Sequence, residues 1–176
     1  FYLIDIAGNA LWRSNERWDN VYDTTKPRIA SAATTKNDGT YKVGDVIDVV
    51  LTFSEAIYTS GTMRVTFETG VIFDQTVDIN ASGAQWNRRT TESFNYTVQA
   101  GNITPKLTIL TIAMTSGALR DIGLNETDNF VLTGNNLAAN HNLNIDGVIP
   151  TVTNITSDKA DGTYGLGEEI AVTATF

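Results

Sequence analysis

Apolar and polar residues alternate along much of this chain with a period of two, the signature of strands with one buried face. VIDVVLTF (46–53), TMRVTFE (62–68), TESFNYTV (91–98) and KLTILTIA (106–113) are rich in Val, Ile, Thr, Phe and Tyr and predict half-buried strands. ANHNLNID (139–146) is a further, more polar strand candidate. Turn-forming residues fall between these runs at NDGT, TSGT, ETG, ASGA, QAGN and TGNN. No segment keeps a helical period for three turns behind a capping residue. The pattern predicts an all-β fold with a core drawn from Ile47, Val49, Leu51, Phe53, Val65, Phe67, Phe94, Tyr96, Leu107 and Ile109.

A second pattern lies over the first. PRIASAATTKNDGTYKVGDVIDVVLTF (27–53) aligns without a gap on PTVTNITSDKADGTYGLGEEIAVTATF (150–176), at an offset of 123 residues with 11 of 27 positions identical. Self-similarity at a fixed offset marks a tandem array, and this period is long enough for a whole small domain. Asp5-Ile6 and Asn9 pair likewise with Asp121-Ile122 and Asn125, and Asp23 precedes Pro27 by four residues as Asp146 precedes Pro150. The expected organisation is the tail of one repeat over 1–26, a complete repeat over 27–149 and the head of a following repeat over 150–176, a window on a longer polypeptide. A unit of this length with seven or more short strands predicts an immunoglobulin-like β-sandwich.

Composition narrows the function. The chain has no cysteine, one histidine and a net charge of −8. Disulfides, thiolate chemistry and Cys-ligated zinc are thereby removed. A negative surface argues against a nucleic-acid partner, which calls for clustered Lys and Arg, and no apolar run reaches the length of a membrane-spanning helix. An acidic, thiol-free chain suits an extracellular bacterial setting. The single histidine, His141, has no nucleophile motif beside it, and the glycines sit singly in turns, so no catalytic residue and no phosphate loop is expected.

DGTYKVGDVIDVVLTFSEAI, GTMRVTFETG, SFNYTVQAGNITPKLTI, ALRDIGLN and the Asp-x-x-x-Pro junction occur in that order. In sequence and order they resemble the Ig-like tandem repeats of giant bacterial cell-surface proteins, a family that includes large adhesins and the giant surface protein of swimming marine cyanobacteria. The usual Asp-x-Ala-Gly-Asn of those repeats stands intact as DIAGN at 5–9 and departs to DIGLN at 121–125. The resemblance implies a non-enzymatic repeat module at the cell surface: a spacer or stalk, or a building block of a filament or surface layer. Its partners would be neighbouring repeats of the same polypeptide and other copies of itself. The alternative is an adhesin module that contacts glycan or protein through its loops.

Calcium is the cofactor this chemistry suits, since it takes six to eight oxygen ligands from carboxylates, amides and carbonyls. In a sandwich, the connector into a domain shares an end with the loop after the second strand and the last hairpin loop. Those segments carry Asp23, Glu55, Asp121, Asn125 and Asp128; at the other end Asp38 is expected near Asp146. Ions at these places would join repeats into a rod. The plainer reading is turn chemistry, since Asp before Gly or Pro suits a tight turn by itself. Trp86, with Arg88 and Arg89 beside it, is either a surface for stacking on a sugar or a cation–π pair within the domain.

Overall fold

The computed structural model describes residues 23–70, 74–81 and 88–176. Regular structure among them is β-strand apart from one helical turn, α1 (Leu137–Asn140), so the fold is all-β as the alternation predicts. The first sheet orders β1 (Ile29–Ala33), β3 (Val46–Thr59) and β6 (Arg89–Thr97), with β9 (Leu119–Asp121) paired to the far end of β3. The second orders β5 (Gln75–Ala81), β4 (Gly61–Phe67) and β8 (Ile109–Ser116). Both are antiparallel throughout.

Alternate residues of each sheet enter one core. Ile47, Val49 and Leu51 of β3 and Val65 and Phe67 of β4 are fully buried in the same apolar cluster, with Ile109 and Ile112 of β8 nearly so. Phe67 joins the sheets most directly: its ring centroid lies 4.9 Å from Tyr96 and 6.2 Å from Phe94 on β6. The ten expected core positions are all buried except Phe94, which is partly buried and packs against the cluster.

The chain changes sheets at a corner written twice as Thr-Ser-Gly. Thr59-Ser60-Gly61 carries β3 into β4, and Thr115-Ser116-Gly117 carries β8 into β9. The two crossings clasp each other, Ser60 N–H donating to Ala118 O at 2.9 Å and Ala118 N–H to Ser60 O at 3.2 Å. Gly61 and Gly117 have φ of 75° and 70°, and a Cβ on either would fall 2.3 or 2.1 Å from the opposite carbonyl oxygen. Only glycine fits here. TSGT, expected to be a turn, is therefore a strand corner.

A third sheet closes the unit: β2 (Gly39–Lys42), β10 (Leu143–Asp146) and β7 (Ile103–Thr104). Its β2–β10 pair is parallel, running from Gly39↔Leu143 to Lys42↔Asp146. Residues 139–141, expected to open a strand, instead finish α1 and its cap. The cause is Asn136, whose amide accepts from Ile109 N–H at 3.0 Å and donates to Ile109 O at 2.7 Å. Its side chain stands where a strand partner of β8 would be, and the same oxygen caps Leu137 N–H.

Residues 150–176 form a separate antiparallel hairpin, β11 (Asn154–Ser157) with β12 (Val172–Thr175). Its register is that of β1 with β3 shifted by 123 residues: Ser31↔Thr52, Ala32↔Leu51 and Ala33↔Val50 become Asn154↔Thr175, Ile155↔Ala174 and Thr156↔Thr173. The turn contacts repeat as well. Tyr41 donates to Asn37 O and Tyr164 to Ala160 O. Lys42 N–H donates to Asp45 Oδ2 and Gly165 N–H to Glu168 Oε2. Gly44 and Gly167 both turn through the left-handed region, at φ of 87° and 90°. The apolar positions buried in the first hairpin are exposed in the second, at Val152, Ile155, Ile170, Val172 and Phe176.

Candidate metal centre

The first sheet is interrupted where β3 leaves β6. Thr52 pairs with Thr91 and Ile57 with Arg89, so five steps along β3 match two along β6. The excess residues form a bulge that re-aims a side chain, as bulges do beside functional sites. Glu55 lies in this bulge. Beyond it, Ile57 pairs with Asp121 at the end of β9, which places the two acids side by side. Asp23, on the segment leading into β1, completes the group: one carboxylate oxygen from each of Asp23, Glu55 and Asp121 lies within 4.8 Å of the others.

The loop after β9 is built around Asp121, which is fully buried. Its Oδ1 accepts from Asn125 N–H and its Oδ2 from the Asn125 side-chain amide, both at 2.8 Å. That amide also donates to Asp23 O at 2.8 Å, tying the incoming segment to the loop across 102 residues of sequence. Thr127 Oγ1 donates to Pro27 O at 2.8 Å, and Lys26 pairs with Asp128. A Cβ on Gly123 would lie 3.0 Å from Asn125 Nδ2 and 3.4 Å from Asp23 O, so a side chain there would press on this clasp. Leu124 holds φ of 69°, a region costly for a side chain with a Cβ. In DIAGN the matching position is Gly8. Leu124→Gly should therefore raise stability by roughly 0.5–1 kcal/mol, the left-handed strain removed less the added freedom of the unfolded glycine. A urea midpoint that falls would refute this account of the loop.

The electrostatics follow from the crowding. Glu55 is held above the usual carboxylate range, first by its burial and then by the charges of Asp23 and Asp121. Oxygens bound to one calcium at about 2.4 Å stand at most about 4.8 Å apart, so the spacing and the all-oxygen donor set fit that ion. No protein family, curated protein or solved structure matches this chain.

The other expected ligands are placed elsewhere. Asp128 is drawn to Lys26, which keeps its carboxyl below the usual range. Asp38 accepts from Asn142 N–H at 2.9 Å, a contact across 104 residues of sequence, and Asp146 accepts from Val148 N–H at 3.2 Å in a turn-type contact. Asp38 adjoins the start of the β2–β10 ladder and Asp146 ends it, four steps or about 13 Å apart. Arg89 is engaged within the domain, bonding Glu92 and, at 2.7 Å, Thr59 Oγ1; Arg88 is exposed. Trp86, the 1–22 part of the expected preceding repeat and the ASGA turn lie outside the described residues. The β3 bulge, which sequence reasoning missed, was signalled only by Ser-Glu-Ala breaking the apolar alternation at 54–56.

Proposed function

We propose that this chain is a non-enzymatic structural repeat module, an immunoglobulin-like sandwich in tandem, serving as spacer or stalk of an extracellular surface protein. The observation that carries this reading is the second hairpin, which repeats the register, the tyrosine contact and the glycine turn of the first at the same 123-residue offset. The parallel pairing of β2 with β10 supports it, because an early strand and the last strand of the unit then lie side by side in one direction. Tension on the two ends of residues 27–149 loads that ladder in shear, so its hydrogen bonds must break together rather than one at a time. Calcium held by Asp23, Glu55 and Asp121, with Asn125 as a positioning residue, would fix the incoming connector to the unit it enters.

Single-molecule force spectroscopy on the full chain tests the mechanical role. One discrete unfolding step is expected for residues 27–149, releasing about 40 nm of contour, from 123 residues at up to about 3.6 Å each. Smooth extension without a step would reject the spacer reading.

A further inference from the structure

The two opening hairpins agree in register, and at two of the opposed positions where they differ the difference is compensated across the strands. In the first hairpin Ala32, buried, stands opposite Leu51; in the second Ile155 stands opposite Ala174. Both pairs join one small and one large side chain, with the order reversed. The acid is reversed in the same way. Asp48 accepts from Thr35 N–H at 2.9 Å and from Thr35 Oγ1 at 2.8 Å in the first hairpin. At the same two positions in the second, Asp158 on the other strand accepts from Ala171 N–H at 3.0 Å.

We propose that these inverted pairs form a pairing code that keeps the opening strands of consecutive repeats from exchanging partners. The inference rests on the repeat reading above. Equal registers make exchange geometrically open, and strand exchange is a characteristic failure of tandem repeats. Were β1 to pair with β12, Ala32 would face Ala174 and leave a hole, and Thr35 would face Ala171 with no carboxylate. Were β11 to pair with β3, Ile155 would crowd Leu51 and Asp158 would meet Asp48, like charge against like. Directly opposed side chains are the unit of strand-pair energetics, and specificity is secured by such holes, clashes and repulsions in the wrong pairing. Positions that do not discriminate are free to stay alike: Asp38 to Tyr41 and Asp161 to Tyr164 are identical, as are Ile47 with Ile170 and Val49 with Val172.

The absence of cysteine lets disulfides report the pairing. In the full chain, Ser31→Cys with Thr175→Cys links only when β1 pairs with β12, whereas Asn154→Cys with Thr175→Cys links the second hairpin to itself. Refolding from urea in a glutathione buffer should give the 154–175 disulfide and little of the 31–175 one. Writing the first hairpin's code into the second, with Ile155→Ala, Ala174→Leu, Asp158→Thr and Ala171→Asp, should raise the 31–175 disulfide roughly tenfold or more. These four substitutions leave residues 27–149 untouched, so near-ultraviolet circular dichroism can confirm that unit in every variant. An unchanged 31–175 yield beside a normal 154–175 control overturns the code alone. Failure of the 154–175 control overturns the repeat reading and the code with it.

Discussion

Phe67→Ala should be among the most damaging single truncations of the described core, lowering stability by about 3–5 kcal/mol. Phe67 is fully buried on the central strand of the second sheet, and it meets both aromatic rings of β6 in the first. Its removal therefore opens a cavity between the sheets and also breaks two aromatic contacts, each worth about 0.5–1.5 kcal/mol beyond burial. Against a total of about 5–15 kcal/mol for an ordinary domain, a large part of the folded population is at stake. Urea denaturation should show a midpoint shifted far down with little change in slope. Phe94→Ala, at the partly buried neighbour, should cost clearly less. If the two variants lose equal stability, Phe67 is not the residue that joins the sheets.

Much of this core was legible in the sequence because alternation reports which face of a strand is buried, and β3, β4, β6 and β8 are long enough to alternate. The elements that escaped lack that signal. β1 reads Ile-Ala-Ser-Ala-Ala, with side chains too small to mark a buried face. β5 is Gln-Thr-Val-Asp-Ile-Asn-Ala, whose apolar Val77 and Ile79 are only partly buried. β9 has three residues and owes its strand form to pairing with the end of β3. β3 itself runs six residues past Phe53, because Arg89 and β9 supply partners beyond the bulge. Propensity near Ser54 and Glu55 could not foresee partners 34 and more residues away.

The candidate centre divides along the same physical line. Asp23, Glu55 and Asp121 are brought together as expected, but not by a loop at Glu55: β3 continues through it to Thr59, and the bulge in β3 with the Ile57–Asp121 pair sets Glu55 beside Asp121. Asp128 lies close to Asp121 in sequence but has Lys26, 102 residues away in the chain, within reach and pairs with it at the surface. Asp38 and Asp146 are separated because β2 and β10 run parallel: two acids flanking opposite ends of a parallel ladder cannot converge, as they could in a hairpin.

Calcium should stabilise the chain, and by more at neutral than at acid pH. In chelator the three carboxylates repel, and Glu55 is the group whose proton affinity rises. A carboxyl with a raised folded pKa contributes stability that is complete below its ordinary range, near pH 4.5, and that is lost as pH climbs through the raised value. The metal-free protein should therefore lose this contribution as pH rises above about 4.5. An ion bound to the ionised oxygens reverses the sign, since calcium favours the charged forms and replaces repulsion by attraction. At a calcium concentration 100 times its Kd the gain is about 2.7 kcal/mol, or roughly 5–10 °C in Tm for a chain of this size. Melting curves in calcium and in chelator should then diverge as pH rises from 4.5 to 7.5. Glu55→Gln should flatten the chelator profile and shrink the calcium shift. Asp121→Asn should remove the shift altogether, because it takes the charge from the buried centre of the group while leaving an oxygen to accept from Asn125. Superimposable curves in calcium and chelator at every pH would mean that the three acids only shape the turn and hold no ion.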